Sequence, residues 1–145
     1  MSHVYTGGTF DLFHKGHLEL LEACRRMAGD GTVTVALNTD EFIARFKGRA
    51  PVQPYEDRRL ALAACRYVDW VVPNVGEEDS TVTIAGCTPK VDIVAIGSDW
   101  APPRDYYGQM GFTKGWLDEQ NVVLVYVDRR TGESTTSLKE RIRGS

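Results

Sequence analysis

Residues Gly7–Leu21, GGTFDLFHKGHLELL, begin with small residues, turn polar, and run into a leucine-rich stretch with helical spacing. Ahead of them, HVYT (His3–Thr6) has the content of a short strand, and HLELLEACRRM (His17–Met27) sets Leu18, Leu21, Cys24 and Arg25 at intervals of three and four. The context is strand, glycine-bearing loop, helix. Backbone N–H groups and the positive end of the dipole make a helix start a natural anion site, with phosphate its usual occupant. His14 and His17, on either side of Gly16, add imidazole donors aimed at the same phosphates. A lone histidine near a helix start is ordinarily a cap or a surface residue; the full H-x-G-H pattern after a strand is far rarer.

Working outward from this stretch, AGDG (Ala28–Gly31) breaks the helix and TVTVALN (Thr32–Asn38) is a continuous strand-length run. TDEFIARF (Thr39–Phe46) reads as a short helix capped by Thr39 or Asp40. KGRAPVQPY (Lys47–Tyr55), with a glycine and two prolines, reads as a loop. Beyond it come a helix in EDRRLALAACRY, a strand in VDWVVP, a weaker helix in DSTVTIAGCTP and a buried strand in KVDIVAIG. The chain then runs through a long loop, SDWAPPRDYYGQMG, a helix in FTKGWLDEQN, a strand in VVLVYVD and a closing helix in STTSLKERIR. Apolar strands alternating with helices indicate one doubly wound α/β domain over residues 1–143, with a parallel sheet covered on both faces.

Composition excludes several classes. With 42% hydrophobic and 26% charged residues the chain is globular, and its apolar runs are far shorter than the roughly 20 residues that span a bilayer. Neither a membrane protein nor a signal peptide is read here, and a cytoplasmic location is the expectation. A net charge of −3 argues against a nucleic-acid partner. Cys24, Cys65 and Cys87 are too few and too widely spaced for a disulfide framework or a C-x-x-C metal site, and read as reduced, mostly buried thiols.

In a doubly wound sheet the ligand sits beyond the carboxyl ends of the strands. The loops at that edge hold Thr9, Asp11, His14 and His17, then Lys47 and Arg49, then Asp99, then Arg129, Arg130, Ser134 and Thr135. Each alone has an ordinary explanation as a cap, a turn former or a solvated charge. Their gathering on one edge points to a polyanion.

GTFDLFHKGH, YEDRRLALAACRYVD, IGSDW and RRTGESTT, in this order and at these distances, resemble the cytidylyltransferases that make CDP-alcohols, in particular the small bacterial glycerol-3-phosphate type. The resemblance runs from about Val4 to Lys139. It implies a homodimeric nucleotidylyltransferase of Rossmann-like fold that uses CTP with Mg2+ and a phosphorylated alcohol, and releases pyrophosphate. By matching position it implies that Thr9, Phe10 and Asp11 lie at the nucleotide, with Asp11 near the metal, and that His14, Gly16 and His17 lie at its phosphates. Lys47 would reach the reacting phosphates from a mobile loop. Arg58 and the RYVD segment would support that loop and the subunit contacts, Arg58 standing also among the acceptor-side residues. Asp99 and Trp100 would flank the nucleoside, and Arg129, Ser134, Thr135 and Thr136 the triphosphate. No metal ligand set is assigned.

The chain departs from the family pattern in two places. Arg130 and Glu133 stand where threonine and isoleucine are usual, and after WVVP the acidic NVGEEDST replaces an aromatic residue and a lysine that help hold the acceptor. Glu77, Glu78 and Asp79 would repel a phosphate if they faced the site, and Arg104 or Lys114 from the longer following loop would supply the missing cation. Glycerol 3-phosphate is accordingly expected to be a weak substrate or one held by those cations, a larger polyol phosphate being the other option. Two rival functions stay open: an adenylyltransferase of the same fold using ATP with a sugar or cofactor phosphate, and a nucleotide-binding module without turnover.

Overall fold

The computed structural model describes residues 1–97 and 111–128. In chain order it contains β1 (Val4–Gly8), α1 (Lys15–Ala28), β2 (Val33–Leu37), α2 (Asp40–Lys47), α3 (Tyr55–Ala63), β3 (Trp70–Pro73), α4 (Ser80–Ala85), β4 (Ile93–Gly97), α5 (Lys114–Glu119) and β5 (Val123–Val127). The strands form one parallel sheet in the order β3-β2-β1-β4-β5. Strand order reverses between β1 and β4, and this switch point opens a crevice at their carboxyl ends.

Strand alternation sorts the core into two layers. Val4, Val33, Val35, Leu37 and Ala95 face α1 and α3, where Leu21, Cys24, Ala28 and Leu62 are buried against them. Tyr5, Ala36, Val94 and Ile96 face the other way, onto Ile84 of α4 and Leu117 of α5. Every residue of β2 is buried. That explains why its sequence is a continuous apolar run broken only by Thr34, and not an alternating one.

Helix ends follow local chemistry. Thr39 caps α2, its hydroxyl accepting from Phe42 N at 3.2 Å, and the helix runs on through Lys47 to Gly48, whose φ of 76° stops it. Lys47 is therefore the last helical residue and not the first of the loop. α3 stops at Ala63, short of the Tyr67 end read from its composition, because the chain turns at Cys65, where Val68 N donates to Cys65 O at 3.1 Å. Cys24 is the one fully buried thiol, while Cys65 and Cys87 are half-buried and all three are free. Among the described residues no helix is long and apolar enough to cross a membrane. The closing helix expected over STTSLKERIR lies outside them.

Candidate active site

The loop between β1 and α1 sets the site. Phe10 and Leu12 both take left-handed backbone conformations, with φ of 50° and 51°. For bulky side chains this costs on the order of 1–3 kcal/mol each and persists only where the surroundings impose it. The surroundings do so here. Between the two, Asp11 is 3% exposed, and its carboxylate accepts from Val52 N at 2.7 Å and Gln53 N at 2.9 Å. Leu12 N donates to Gln53 Oε1 at 2.9 Å.

Behind this loop lies Arg58, fully buried. Its guanidinium donates to Thr9 O at 2.9 Å, Asn38 O at 2.9 Å, Gln53 O at 3.0 Å and Asp40 Oδ1 at 2.6 Å. One side chain thus ties together the ends of β1 and β2, the start of α2 and the approach to α3. Asp11 and Arg58, which the resemblance places at the metal and on the acceptor side, direct these groups into the protein's own backbone. In this structure both act as braces for the loops around the crevice.

The loop delivers His14 to the N-cap of α1. His14 Nδ1 accepts from Gly16 N at 3.0 Å, and His17 Nδ1 accepts from His14 N at 3.2 Å. The pair forms a reciprocal capping box built from imidazoles. A ring nitrogen that accepts an amide proton carries none itself, so in each neutral ring the proton sits on Nε2. The rings stack with centroids 3.8 Å apart, and Phe10 and Phe13 lie 5.1 and 5.4 Å from His17. Because the Gly16 N–H is already bonded to His14, the donors this helix start brings to an anion are chiefly imidazole Nε2–H groups, backed by the dipole.

The crevice beside this cap is floored by Gly7 and Gly8 of β1 and walled by Gly16 and His17 of α1, Gly97 of β4 and Asp128 after β5; Thr9 and Phe10 also line it. Of the residues singled out in the sequence, Thr9, Phe10, Gly16 and His17 line this crevice, whereas His14, whose Nε2 is buried, is not among its lining residues. Phe10 lines it as a mostly buried ring, packed in the core with Leu21, Val35 and Leu37. Among the described residues no three His, Cys, Asp or Glu form a cation cage, but two carboxylates, Glu19 and Asp128, line the crevice. One or two carboxylates together with phosphate oxygens is the usual mode of holding Mg2+. Asp99, Trp100, Arg104, Arg129, Arg130, Glu133, Ser134, Thr135 and Thr136 lie outside the described residues.

Lys47 is exposed at the end of α2. The loop after it is pinned at Val52 and Gln53 by Asp11, which confines any swing to Gly48–Pro51. Of the acidic residues after β3, Glu77 and Glu78 accept from Arg45 at 2.8 and 3.3 Å, and Asp79 caps α4 through Thr81 N at 3.1 Å. These carboxylates have partners of their own and do not stand as an uncompensated block. Lys114 opens α5 as an exposed residue outside the crevice lining, three positions after Gly111, whose Cβ position would sit 2.6 Å from Glu78 O. In the RYVD segment, Asp69 accepts from Arg25 at 2.8 Å and Val33 N at 2.7 Å, fastening the start of β3 to α1 and β2. Sequence reading passed over Asn38, Asn74 and Gln53, although the repeated ending of β2 and β3 in asparagine (VALN, VVPN) was a visible signal.

The cytidylyltransferase-like family model matches residues 5–141. Among curated proteins, the chain is 38% identical over 144 residues to a glycerol-3-phosphate cytidylyltransferase of Bacillus subtilis (strain 168), covering 99% of each chain. It is 44% identical over 143 residues to the bifunctional protein HldE of Photorhabdus laumondii, a match spanning 97% of this chain and 27% of that protein. Among solved structures, the lipopolysaccharide core biosynthesis protein from Thermoplasma volcanium shares the fold, with a TM-score of 0.68 at 23% identity over 90% of this chain and 99% of that one.

Proposed function

The chain belongs to the cytidylyltransferase-like family, and from that premise we propose that it transfers CMP from CTP to a phosphorylated alcohol, glycerol 3-phosphate or a related polyol phosphate, releasing pyrophosphate. The observation that carries this reading is the paired imidazole cap at the start of α1, in which His14 and His17 hold the helix start and His17 lines a crevice floored by glycine.

The acceptor's phosphate oxygen attacks the α-phosphorus of CTP in line, a P–O bond to pyrophosphate breaks, and pyrophosphate departs. The nucleophile is already anionic, so no general base is needed. Catalysis consists of positioning and of neutralising charge on the phosphoryl oxygens. His14 and His17 donate to those oxygens from rings whose tautomer and orientation the capping box has fixed. Lys47 brings a cation from the end of α2 as the Gly48–Pro51 segment closes. Glu19 or Asp128 of the crevice lining would hold a Mg2+ ion bound to the triphosphate, and the ion would supply neutralisation of phosphate charge. Arg129, Ser134, Thr135 and Thr136 complete the triphosphate site, Asp99 and Trp100 flank the nucleoside, and Arg104 or Lys114 holds the acceptor phosphate. The active species is a homodimer in the cytoplasm; β3 is an edge strand with Trp70 56% exposed, a surface suited to burial against a second copy.

The test is pyrophosphate release from CTP or ATP, with Mg2+ and a panel of phosphorylated alcohols. Turnover with CTP and a polyol phosphate supports the reading. Turnover with ATP alone assigns the adenylyl chemistry instead, and binding without turnover would leave a nucleotide-binding module.

A further inference from the structure

At the carboxyl edge of the sheet two strands end alike. Asn38 follows β2 and donates its backbone N–H to Gly8 O at 2.9 Å; Asn74 follows β3 and donates its own to Leu37 O at 2.9 Å. Their side chains meet, Asn74 Nδ2 donating to Asn38 Oδ1 at 2.8 Å. Asn74 and Thr83 are each 4% exposed, a depth at which a polar group left without a partner is strongly disfavoured.

An amide can be turned either way, but here backbone groups of fixed character decide. Thr83 Oγ1 accepts from Gly76 N at 2.9 Å and gives its own proton to Asn74 Oδ1 at 2.7 Å. Only glycine fits at position 76, because a Cβ there would fall 2.1 Å from Asp79 O. On its other side Asn74 Nδ2 also donates to Glu77 O, at 3.2 Å, an oxygen that can only accept. With Asn74 set in this way, Asn38 must turn its carbonyl toward Asn74 and its amide toward the crevice. That amide donates to Thr9 Oγ1 at 3.3 Å. The Thr9 oxygen is therefore the acceptor in this bond, and its proton is left to be given to something else. Thr9 lines the crevice.

We propose that Thr83, Asn74 and Asn38 form a polarity relay that fixes the Thr9 hydroxyl as a hydrogen-bond donor to a nucleotide phosphate oxygen, which makes Asn74 a positioning residue for the donor substrate. The proposal rests on the CTP reading above. A phosphate oxygen only accepts, so the direction of the last hydrogen bond decides whether Thr9 helps or hinders. Asn74→Asp reverses it: aspartate has no donor for Asn38, the Asn38 amide turns toward the new carboxylate, and Thr9 gives its proton to the Asn38 carbonyl. The lone pairs of Thr9 then face the phosphate.

The experiment compares kcat/KM for CTP and for the acceptor in the wild type, Asn74→Asp, Thr9→Val and the double variant, with Thr83→Val as a second variant that removes one of the two bonds orienting the Asn74 amide and leaves the one to Glu77 O. For Asn74→Asp we expect about a tenfold loss in kcat/KM for CTP, the size of one charge-assisted donor, with the acceptor KM unchanged. In the Thr9→Val background the same substitution, or Thr83→Val, should cost less than about twofold, because the residue through which the relay acts is gone. Independent losses that multiply in the double variant, unchanged CTP kinetics in both single relay variants, or equal losses for CTP and acceptor overturn the relay while leaving the CTP reading intact. A wild type that transfers nothing from CTP overturns that reading, and the relay with it.

Discussion

His14 and His17 stack at 3.8 Å while each gives its Nδ1 to a backbone N–H at the start of α1. The pair caps the helix, and His17 lines the crevice beside it; the capping role and the proposed donor role can be separated by substitution. His14→Ala removes the cap and should lower stability by about 0.5–2 kcal/mol, together with a loss of 10²–10³-fold in kcat. His14→Asn restores an acceptor to the capping position but supplies no Nε2–H. It should recover most of the stability and little of the activity. Denaturant unfolding and kcat measured on both variants check this; activity that returns together with stability would make the histidine a cap only.

Arg58 should matter more to the fold than its charge suggests. Removing it leaves Thr9 O, Asn38 O and Gln53 O without the guanidinium donors they now have and Asp40 without its ion-pair partner. Arg58→Ala is expected to cost at least about 3 kcal/mol, and Arg58→Lys, which keeps the charge but lacks the fork, nearly as much. A loss under ~1 kcal/mol in urea titration would show that the loops hold together without it.

For Lys47 the expected signature is kinetic. Lys47→Ala should lower kcat by about 10–10²-fold with little change in stability. Gly48→Ala should cost about 1 kcal/mol of stability, because its φ of 76° disfavours a Cβ even though open space surrounds it. Unchanged turnover in Lys47→Ala would remove this residue from the chemistry.

Cys24 gives a pH dependence of known sign. Burial pushes its thiol up from 9.0 to about 12, against a smaller opposing effect of a backbone hydrogen bond. The folded state holds this proton more tightly than the unfolded chain does. Its contribution to stability is complete below pH 9 and is lost as pH rises through about 12. The urea midpoint should therefore fall across that range, and fall less steeply in Cys24→Ala. Parallel slopes in the two proteins would assign the alkaline loss to other groups.

The parallel sheet was legible because β2 needs apolar residues on both faces, and VTVAL states that need in consecutive letters. The H-x-G-H pattern likewise announced a helix start with donors. The long-range bonds were hidden. Arg58 reaches Thr9 across 49 positions and Asn74 reaches Asn38 across 36, and such partners are chosen by the order of strands in the sheet, which no local pattern encodes. Helix ends misread for a similar reason: α3 stops at a turn through Cys65, beyond which Asp69 is held by Val33 and Arg25, residues of other elements. The acidic run after β3 looked like a block against phosphate until the fold brought Arg45 to Glu77 and Glu78.

Tracing the acceptor's oxygen tests the central claim most directly. With CTP, Mg2+ and glycerol 3-phosphate or a longer polyol phosphate carrying 18O in its phosphate, the mass spectrum should show all of the label in the CDP-alcohol, the bridging oxygen included. The pyrophosphate, formed in equal amount, should be unlabelled. Label in the pyrophosphate, or CMP released by hydrolysis with no CDP-alcohol formed, would contradict transfer by attack of the acceptor phosphate on the α-phosphorus.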